Sequence, residues 1–292
     1  MSTPRFGVST HLFHAARLDR EHLVEIAAHD FETVEVFATR SHFDYHDPAA
    51  IAQLAEWLDD TRLTLNSLHA PICASLAGNV WGEPYSTAIG DEPRRRKALD
   101  EARAALAVAA TVPYKYLVVH LGAPTLGFEP GAMRQVAGDN NRQAARRSVE
   151  ELHQAAAAAG VQLALEVIPN PLSTADALVQ LIEDELELSD VGICLDAGHA
   201  FILGDVVETI ETCSGHLLTT HLHDNHGKRD DHLVPFSGGI DWAAALLAMQ
   251  KVGYDGAWLF EVADGGNAAD VLTRTAKARD RFLRELSNEQ IG

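Results

Sequence analysis

Apolar and polar positions change period repeatedly along the chain. Short runs rich in β-branched and aliphatic residues read as strands: FGVST (6–10), TVEVFA (33–38), LTLNSLHA (63–70), YLVVHLG (116–122), QLALEVI (162–168), VGICLD (191–196), LLTTHLH (217–223) and AWLFEV (257–262). Between them apolar residues recur at helical spacing, in DPAAIAQLAEWLDDT, RRRKALDEARAALAVAA, NRQAARRSVEELHQAAAAAG, ADALVQLIEDEL and DWAAALLAMQKVG; NAADVLTRTAKARDRFLREL closes the chain. Strand and helix alternate without a linker of shifted composition. That pattern predicts one α/β domain over residues 1–292, built as a (β/α)8 TIM barrel.

A doubly wound open sheet would alternate in the same way, and the placement of polar residues favours the barrel. Glu166, Asp196, His221 and Glu261 sit toward the C-terminal ends of the fifth to eighth runs, and His69 and His120 are similarly placed on the third and fourth. A closed barrel brings those ends to one mouth. An open sheet spreads them at about 4.8 Å per strand. Three strand-to-helix connections, from Pro71, Gly122 and Asp224, exceed the roughly 12–15 residues typical of a loop without a functional reason. Trp81, Tyr85, Phe128 and Phe236 on them either cover a substrate or cap the barrel's own core.

Composition narrows the function classes. With 23 basic against 42 acidic residues the formal charge is −19, which disfavours nucleic acid and anionic lipid as broad partners while leaving a local basic site open. The run RRRK (94–97) opens an amphipathic helix and reads as a solvated face. Cys73, Cys194 and Cys213 form neither a disulfide framework nor a zinc-binding CxxC pattern, so a reducing cytoplasm is the expected location. No stretch approaches the roughly 18 apolar residues of a membrane span. Barrel exteriors can pair without a local motif, so a homo-oligomer stays open.

The densest chemistry lies in HLHDNHGKRDDHLVPF (221–236), where histidine and aspartate crowd one connection. Buried carboxylates and imidazoles at adjacent strand ends need a positive charge among them, and a divalent cation supplies it. The ordered segments SLHAP, VVHLG, LALEV, CLDAGH, HLHDN, RDDH and LFEV resemble the signature positions of the xylose isomerase-like TIM-barrel superfamily across essentially the whole chain. That superfamily contains sugar isomerases and epimerases together with the endonuclease IV group of apurinic-site nucleases. From the epimerase branch the resemblance implies one divalent ion on Glu166, Asp196, His221 and Glu261. From the nuclease branch it implies up to three zinc ions, with His69, His120, His199, Asp230 and His232 as the further ligands. The chain keeps all nine residues.

These readings imply a metal-dependent isomerase or epimerase of a sugar or sugar phosphate, using Mn, Co, Zn or Mg. Proton transfer would pass through a metal-stabilised enediolate, with Glu166 and Glu261 exchanging the proton. His11, His199, His223, Lys228 and Arg229 are candidate substrate contacts, with a solvated loop face as the alternative for Lys228, Arg229 and His226. Asp224 is expected to orient a ligating imidazole, and Glu35 either to brace a ligand or to pair with Lys or Arg. The rival reading is a zinc-cluster phosphodiesterase resembling the apurinic-site nucleases. A barrel that binds without turnover is the third.

Overall fold

The computed structural model describes residues 4–77, 80–126, 139–186 and 188–288. Eight parallel strands form one sheet: β1 (Arg5–Ser9), β2 (Thr33–Phe37), β3 (Thr64–His69), β6 (Tyr116–Val119), β7 (Gln162–Glu166), β8 (Gly192–Asp196), β9 (Leu217–His221) and β10 (Ala257–Phe260). Seven predicted runs contain one of them whole, and the first (6–10) covers all of β1 but Arg5. β1 pairs with both β2 and β10. The remaining seam, between β9 and β10, is joined by the Leu222–Phe260 bridge just past the end of β9. Thr220 supports that seam: its hydroxyl donates to the Ala257 carbonyl at 3.2 Å and accepts from the Leu259 N–H at 3.2 Å. The sheet is therefore a nearly closed barrel, as the strand-end pattern requires.

Helices cover the outside of the ring because alternate strand residues face them. Val8, Val34, Val36, Leu68, Leu117, Leu163, Leu165, Ile193 and Leu195 belong to the main core between the strands and the helices. A separate small cluster of Val118, Ala164 and Cys194 fills the barrel interior. The residues one pleat further along those strands are then left at the mouth.

The principal helices are α1 (Arg20–Ala28), α2 (Pro48–Thr61), α3 (Glu92–Ala107), α4 (Arg142–Ala159), α5 (Ala175–Gln180, continued as a π-helical turn over Leu181–Leu186), α6 (Ala197–Leu203), α7 (Val206–Thr212), α8 (Trp242–Lys251) and α9 (Ala268–Asn288). Side-chain caps start most of them. Asp47, Asp91, Asn141, Thr174, Asp205 and Asp241 each accept from a first-turn N–H. The pattern did not mark α1, α6 or α7, nor the hairpin of β4 (Leu76–Ala77) and β5 (Val80–Trp81) in the connection after β3. Among the described residues no helix is long and apolar enough to cross a membrane.

Candidate metal centre

The mouth is built by strand parity. His69 ends β3, Glu166 ends β7, Asp196 ends β8 and His221 ends β9, while His120 and Glu261 directly follow β6 and β10. Asp196 is also the N-cap of α6, accepting from the His199 N–H at 2.7 Å. The three-residue spacing of DAGH thereby folds the His199 ring back, with Nδ1 3.3 Å from Asp196 Oδ2. Asp230 and His232 return to the mouth because Leu233 pairs with Asp224 across the loop. His232 takes a left-handed backbone conformation, φ 45°, which the loop must hold against its intrinsic preference.

All nine residues implied by the resemblance meet there. Glu166 is the hub. One oxygen lies 3.2 Å from His69 Nε2 and 3.0 Å from His120 Nε2, and the other lies 3.4 Å from both His199 Nδ1 and His221 Nδ1. His221 Nδ1 also faces Glu261 Oε2 at 3.4 Å and Asp196 Oδ2 at 3.8 Å. Asp230 Oδ2 lies 2.9 Å from His232 Nε2 and 3.3 Å from His199 Nε2.

Hydrogen bonding on the far edges of the rings shows what the near edges are for. His69 Nδ1 faces the Ala70 carbonyl at 2.8 Å, and His232 Nδ1 faces the Glu261 carbonyl at 2.9 Å. A carbonyl only accepts, so each Nδ1 carries the proton and a neutral ring leaves Nε2 as a lone pair. That lone pair points at a carboxylate in both cases, which is repulsive unless a cation lies on the edge. His221 is oriented in the same manner by Glu35, whose oxygens lie 3.0 and 3.1 Å from Nε2. Glu35 is in turn held by the Ser9 hydroxyl at 3.1 Å and the Ser67 hydroxyl at 2.8 Å. The sequence offered Glu35 as a brace or as the partner of Lys or Arg, and the structure sets it against the His221 imidazole.

The charge balance of the cluster points the same way. Burial alone would push these carboxylates up and these imidazoles down, yet the mutual attraction overrules it. His120 and His221 hold Glu166 well below the usual carboxylate range; His232 and His199 do the same for Asp230. Asp196 and Asp230 raise His199 well above an ordinary imidazole, and Asp230 lifts His232 to about 10. The carboxylates stay ionised and demand cations on the imidazole edges, whether protons or a metal.

A divalent ion fits that demand. The buried Nδ1 of His221 makes no hydrogen bond among the described residues. It converges with Glu166, Asp196 and Glu261 so that one ligand atom from each lies within 4.8 Å of the others. His69, His120 and Glu166 form a second such group, Asp196, His199 and His223 a third, and His223, His232 and Glu261 a fourth. Mixed nitrogen and oxygen ligands suit Zn, Mn or Co, and also Mg where water completes the shell.

The other predicted residues divide. His11 stands at the rim, its ring centroid 4.8 Å from that of His232 and 4.6 Å from that of His14, and its buried Nδ1 makes no hydrogen bond among the described residues. His223 is fully buried and faces carboxylates. Lys228 and Arg229 are exposed, and Arg229 Nε lies 3.8 Å from Asp231 Oδ1. Asp224 does not orient an imidazole: its carboxylate accepts from Asn225 N, Ile240 N and Trp242 Nε1 at 2.9, 3.2 and 2.9 Å, closing the loop onto α8. Phe236 packs on Trp242 and Phe282 beneath the Arg281 guanidinium, so it caps the outer layer. Tyr85 is buried, Trp81 is half-buried, and Phe128 lies outside the described residues. Sequence reasoning missed Ser9 and Ser67 as the supports of Glu35, since a strand serine carries no distinguishing signal.

The profile of the family described as xylose isomerase-like TIM barrel matches residues 23–286. In sequence, the chain is 27% identical over 262 residues to the uncharacterized protein MJ1311 of Methanocaldococcus jannaschii, covering 86% of this chain and 81% of that protein. It is 24% identical over 174 residues to the inosose isomerase of Bacillus velezensis, covering 56% of this chain and 59% of that protein. Among solved structures, a D-tagatose 3-epimerase-like protein superposes with a TM-score of 0.77 at 23% identity, over 99% of this chain and 100% of the other. The IOLI protein with a bound zinc atom superposes with a TM-score of 0.75 at 17% identity, over 97% of this chain and 98% of the other. At these identities the superpositions establish the barrel fold.

Proposed function

The chain belongs to the xylose isomerase-like TIM barrel family, and from that premise we propose that it is a divalent-cation-dependent isomerase or epimerase of a sugar or sugar phosphate. The observation that carries the reading is the buried His221 Nδ1, unpartnered and faced by Glu166, Glu261 and Asp196. Those four residues would hold the ion. When bound, it supplies positive charge to the substrate's carbonyl and neighbouring hydroxyl oxygens as a carbon–hydrogen bond breaks. The names of two similar proteins, an inosose isomerase and a D-tagatose 3-epimerase-like protein, fit a polyhydroxylated ketone as the substrate class, and the zinc of a third fits the ion.

Glu166 and Glu261 reach the site from β7 and from just beyond β10, with β8 and β9 between them. In this proposal one carboxylate takes the proton from the carbon beside the carbonyl. Return by the other to the opposite face inverts the centre, whereas return to the adjacent carbon interconverts aldose and ketose. His11, with a free ring nitrogen at the rim, is placed to hydrogen-bond a substrate hydroxyl. Buried, unpaired Cys73, Cys194 and Cys213 suit a reducing cytoplasm.

The test is solvent exchange. Metal-loaded protein incubated in D2O with a panel of ketoses and their phosphates is expected to place deuterium on the carbon next to the carbonyl, and to lose that exchange on Glu261→Gln. No exchange across the panel overturns the proposal. A second reading, a zinc-cluster phosphodiesterase, is favoured by His69 and His120 on the far oxygen of Glu166, since a one-ion site does not need them. Nicking of a duplex carrying an abasic site at low salt, with no proton exchange, would replace the first reading by the second.

A further inference from the structure

His223 follows His221 by one pleat and so turns to the same side of the chain. The resemblance assigns no metal ligand to this position. Its ring is fully buried, with Nε2 3.0 Å from both oxygens of the Asp196 carboxylate. A carboxylate only accepts, so Nε2 carries the proton and Nδ1 of the neutral ring is a lone pair. Asp230 Oδ1, at 3.7 Å, is beyond hydrogen-bond reach of the same Nε2.

The backbone is shaped to hold this ring. Nδ1 is buried and makes no hydrogen bond among the described residues, and a Cβ on Gly198 would lie 2.3 Å from it and 2.0 Å from Cε1. Only glycine in the first turn of α6 therefore admits the imidazole, whose Nδ1 edge packs against that turn. The His232 ring stacks on it at 4.1 Å and 19°. Asn225 Nδ2 donates to the Gly198 carbonyl at 2.8 Å and ties the following loop to the same turn. The imidazole is fixed in place and aimed at Asp196.

Asp196 has a use for that aim. The backbone of α6 grips one of its oxygens through the His199 N–H at 2.7 Å. The His199 ring adds less, because its Nδ1 faces the Val167 carbonyl at 3.1 Å as well as Asp196 Oδ2 at 3.3 Å. His223 thus supplies the nearest side-chain N–H among the described residues, and Asp196 Oδ2 stays turned to His221 Nδ1 at 3.8 Å.

We propose that His223 is a positioning residue: its Nε2–H holds the Asp196 carboxylate in the orientation that faces His221, and so tightens cation binding without touching the cation or the substrate. The inference rests on the metal reading above and is independent of isomerase chemistry. It separates His223 from His221, two imidazoles two residues apart with different tasks.

The test measures affinity. The zinc affinity of full-length protein is determined by competition with a chelating dye, and the visible absorption of cobalt-loaded protein reports the ligand geometry. His223→Leu is expected to weaken zinc binding about 10- to 100-fold, the usual effect of removing a hydrogen-bond partner of a metal ligand, and to shift the cobalt bands. His223→Gln, whose amide nitrogen reaches the Nε2 position, is expected to recover both. A purely structural histidine would lower the unfolding midpoint of the metal-free protein and leave zinc affinity and cobalt bands unchanged. That outcome overturns the proposal, as does an equal loss of affinity in the two variants. Should His223→Leu fail to fold, long-range 1H–15N spectra of zinc-loaded wild type decide, with the His223 signals identified by their loss in His223→Gln. A proton on Nε2 alone supports the proposal, and any other state of the ring, zinc on Nε2 included, overturns it. Failure here with deuterium exchange intact leaves the enzymatic proposal standing. The reverse outcome, a confirmed role for His223 without exchange on any sugar, removes the enzymatic proposal alone.

Discussion

Arg95 and Glu166 are both charged and both buried, with side chains 3% and 1% exposed, yet their surroundings differ in kind. Arg95, in the first turn of α3, is saturated. Its guanidinium donates to both oxygens of Glu92 at 2.8 and 2.9 Å, to Glu151 at 2.8 Å and to the Ser148 hydroxyl at 3.1 Å, and Ser148 passes its own proton to the Thr87 carbonyl at 2.6 Å. That cluster carries its own counter-charge and fastens α3 to α4. The mouth does the opposite: acids and imidazoles face one another while His120, His221, His223 and Asp230 each keep a buried atom without a hydrogen bond among the described residues. A cluster that completes itself holds the fold together, whereas one that stays incomplete is prepared for something else to enter.

The comparison breaks most visibly at the proposed proton carriers. Glu261→Gln keeps the shape of the side chain and removes its basicity, so solvent deuterium exchange should fall about 100- to 10,000-fold, the usual contribution of a positioned acid or base. Far-ultraviolet circular dichroism should be unchanged, because Glu261 lies beyond β10 and not in a ladder. If Glu261→Gln exchanged at the wild-type rate, the difference drawn between the two clusters would have no chemical meaning.

Removing the proposed cation probes the same difference through stability. Binding to the folded state alone adds about 4 kcal/mol when the free ion stands at a thousand times Kd. Chelation should therefore lower the thermal midpoint, and zinc or manganese should restore it. In Arg95→Met the size of that chelator response should match wild type, since the α3–α4 cluster needs no added ion. A chelator-insensitive midpoint in both proteins would mean that the mouth, too, completes itself.

Only the mouth's half of this contrast was legible in the sequence; Arg95, read within RRRK (94–97) as part of a solvated face, is instead buried against Glu92, Ser148 and Glu151. The mouth was legible for a definite reason. Strand alternation fixes which residues face the barrel interior, and a strand's last inward position must lie at the mouth, so Glu166, Asp196 and His221 could be placed without coordinates. What the sequence left out depends on contacts between distant segments. Asp224 looked like a support for an imidazole, but the 224–240 connection folds back on itself and its carboxylate holds Ile240 and Trp242. Phe236 was open between a substrate cover and a cap, and the choice lay with α9, which supplies the Phe282 that claims it. The two carboxylates facing His223 come from β8 and from the 224–240 connection, and no local pattern announces their meeting. α6 and α7 escaped notice because helices of seven residues carry too few turns to show a period.

Histidine extends the comparison and gives a smaller effect. His42 is buried and fully satisfied: Nδ1 donates to the Ala16 carbonyl at 2.7 Å and Nε2 lies 3.1 Å from the Thr10 hydroxyl. Burial pulls its pKa down to about 4, against the contribution of the Ala16 carbonyl. The unfolded chain therefore binds this proton more tightly. Stability from His42 is fully present above about pH 6.5 and is lost as the pH falls toward the folded value; the part lost at pH 5 is about 2 kcal/mol. Urea midpoints at pH 7 and pH 5 should diverge for wild type by that much more than for His42→Gln. Equal divergence would mean that the imidazole is solvated enough to charge in place.

The smallest expected effect falls on the saturated cluster itself. Removing one member of a buried pair commonly costs about 3–5 kcal/mol, because the abandoned charge stays buried. Here the abandoned charges are not buried: Glu92 and Glu151 are 41% and 39% exposed and can turn to water. Arg95→Met also keeps the apolar stem against the α3–α4 contact, leaving the Ser148 hydrogen bond and the guanidinium's packing as the main losses. We expect about 1 kcal/mol from urea unfolding, with metal count and deuterium exchange unchanged. A loss several times larger would show that Glu92 and Glu151 cannot reach solvent once the guanidinium is gone, and would place this cluster nearer to the mouth in kind. Reduced metal content would show that α3 and α4 transmit strain to His120 at the end of β6.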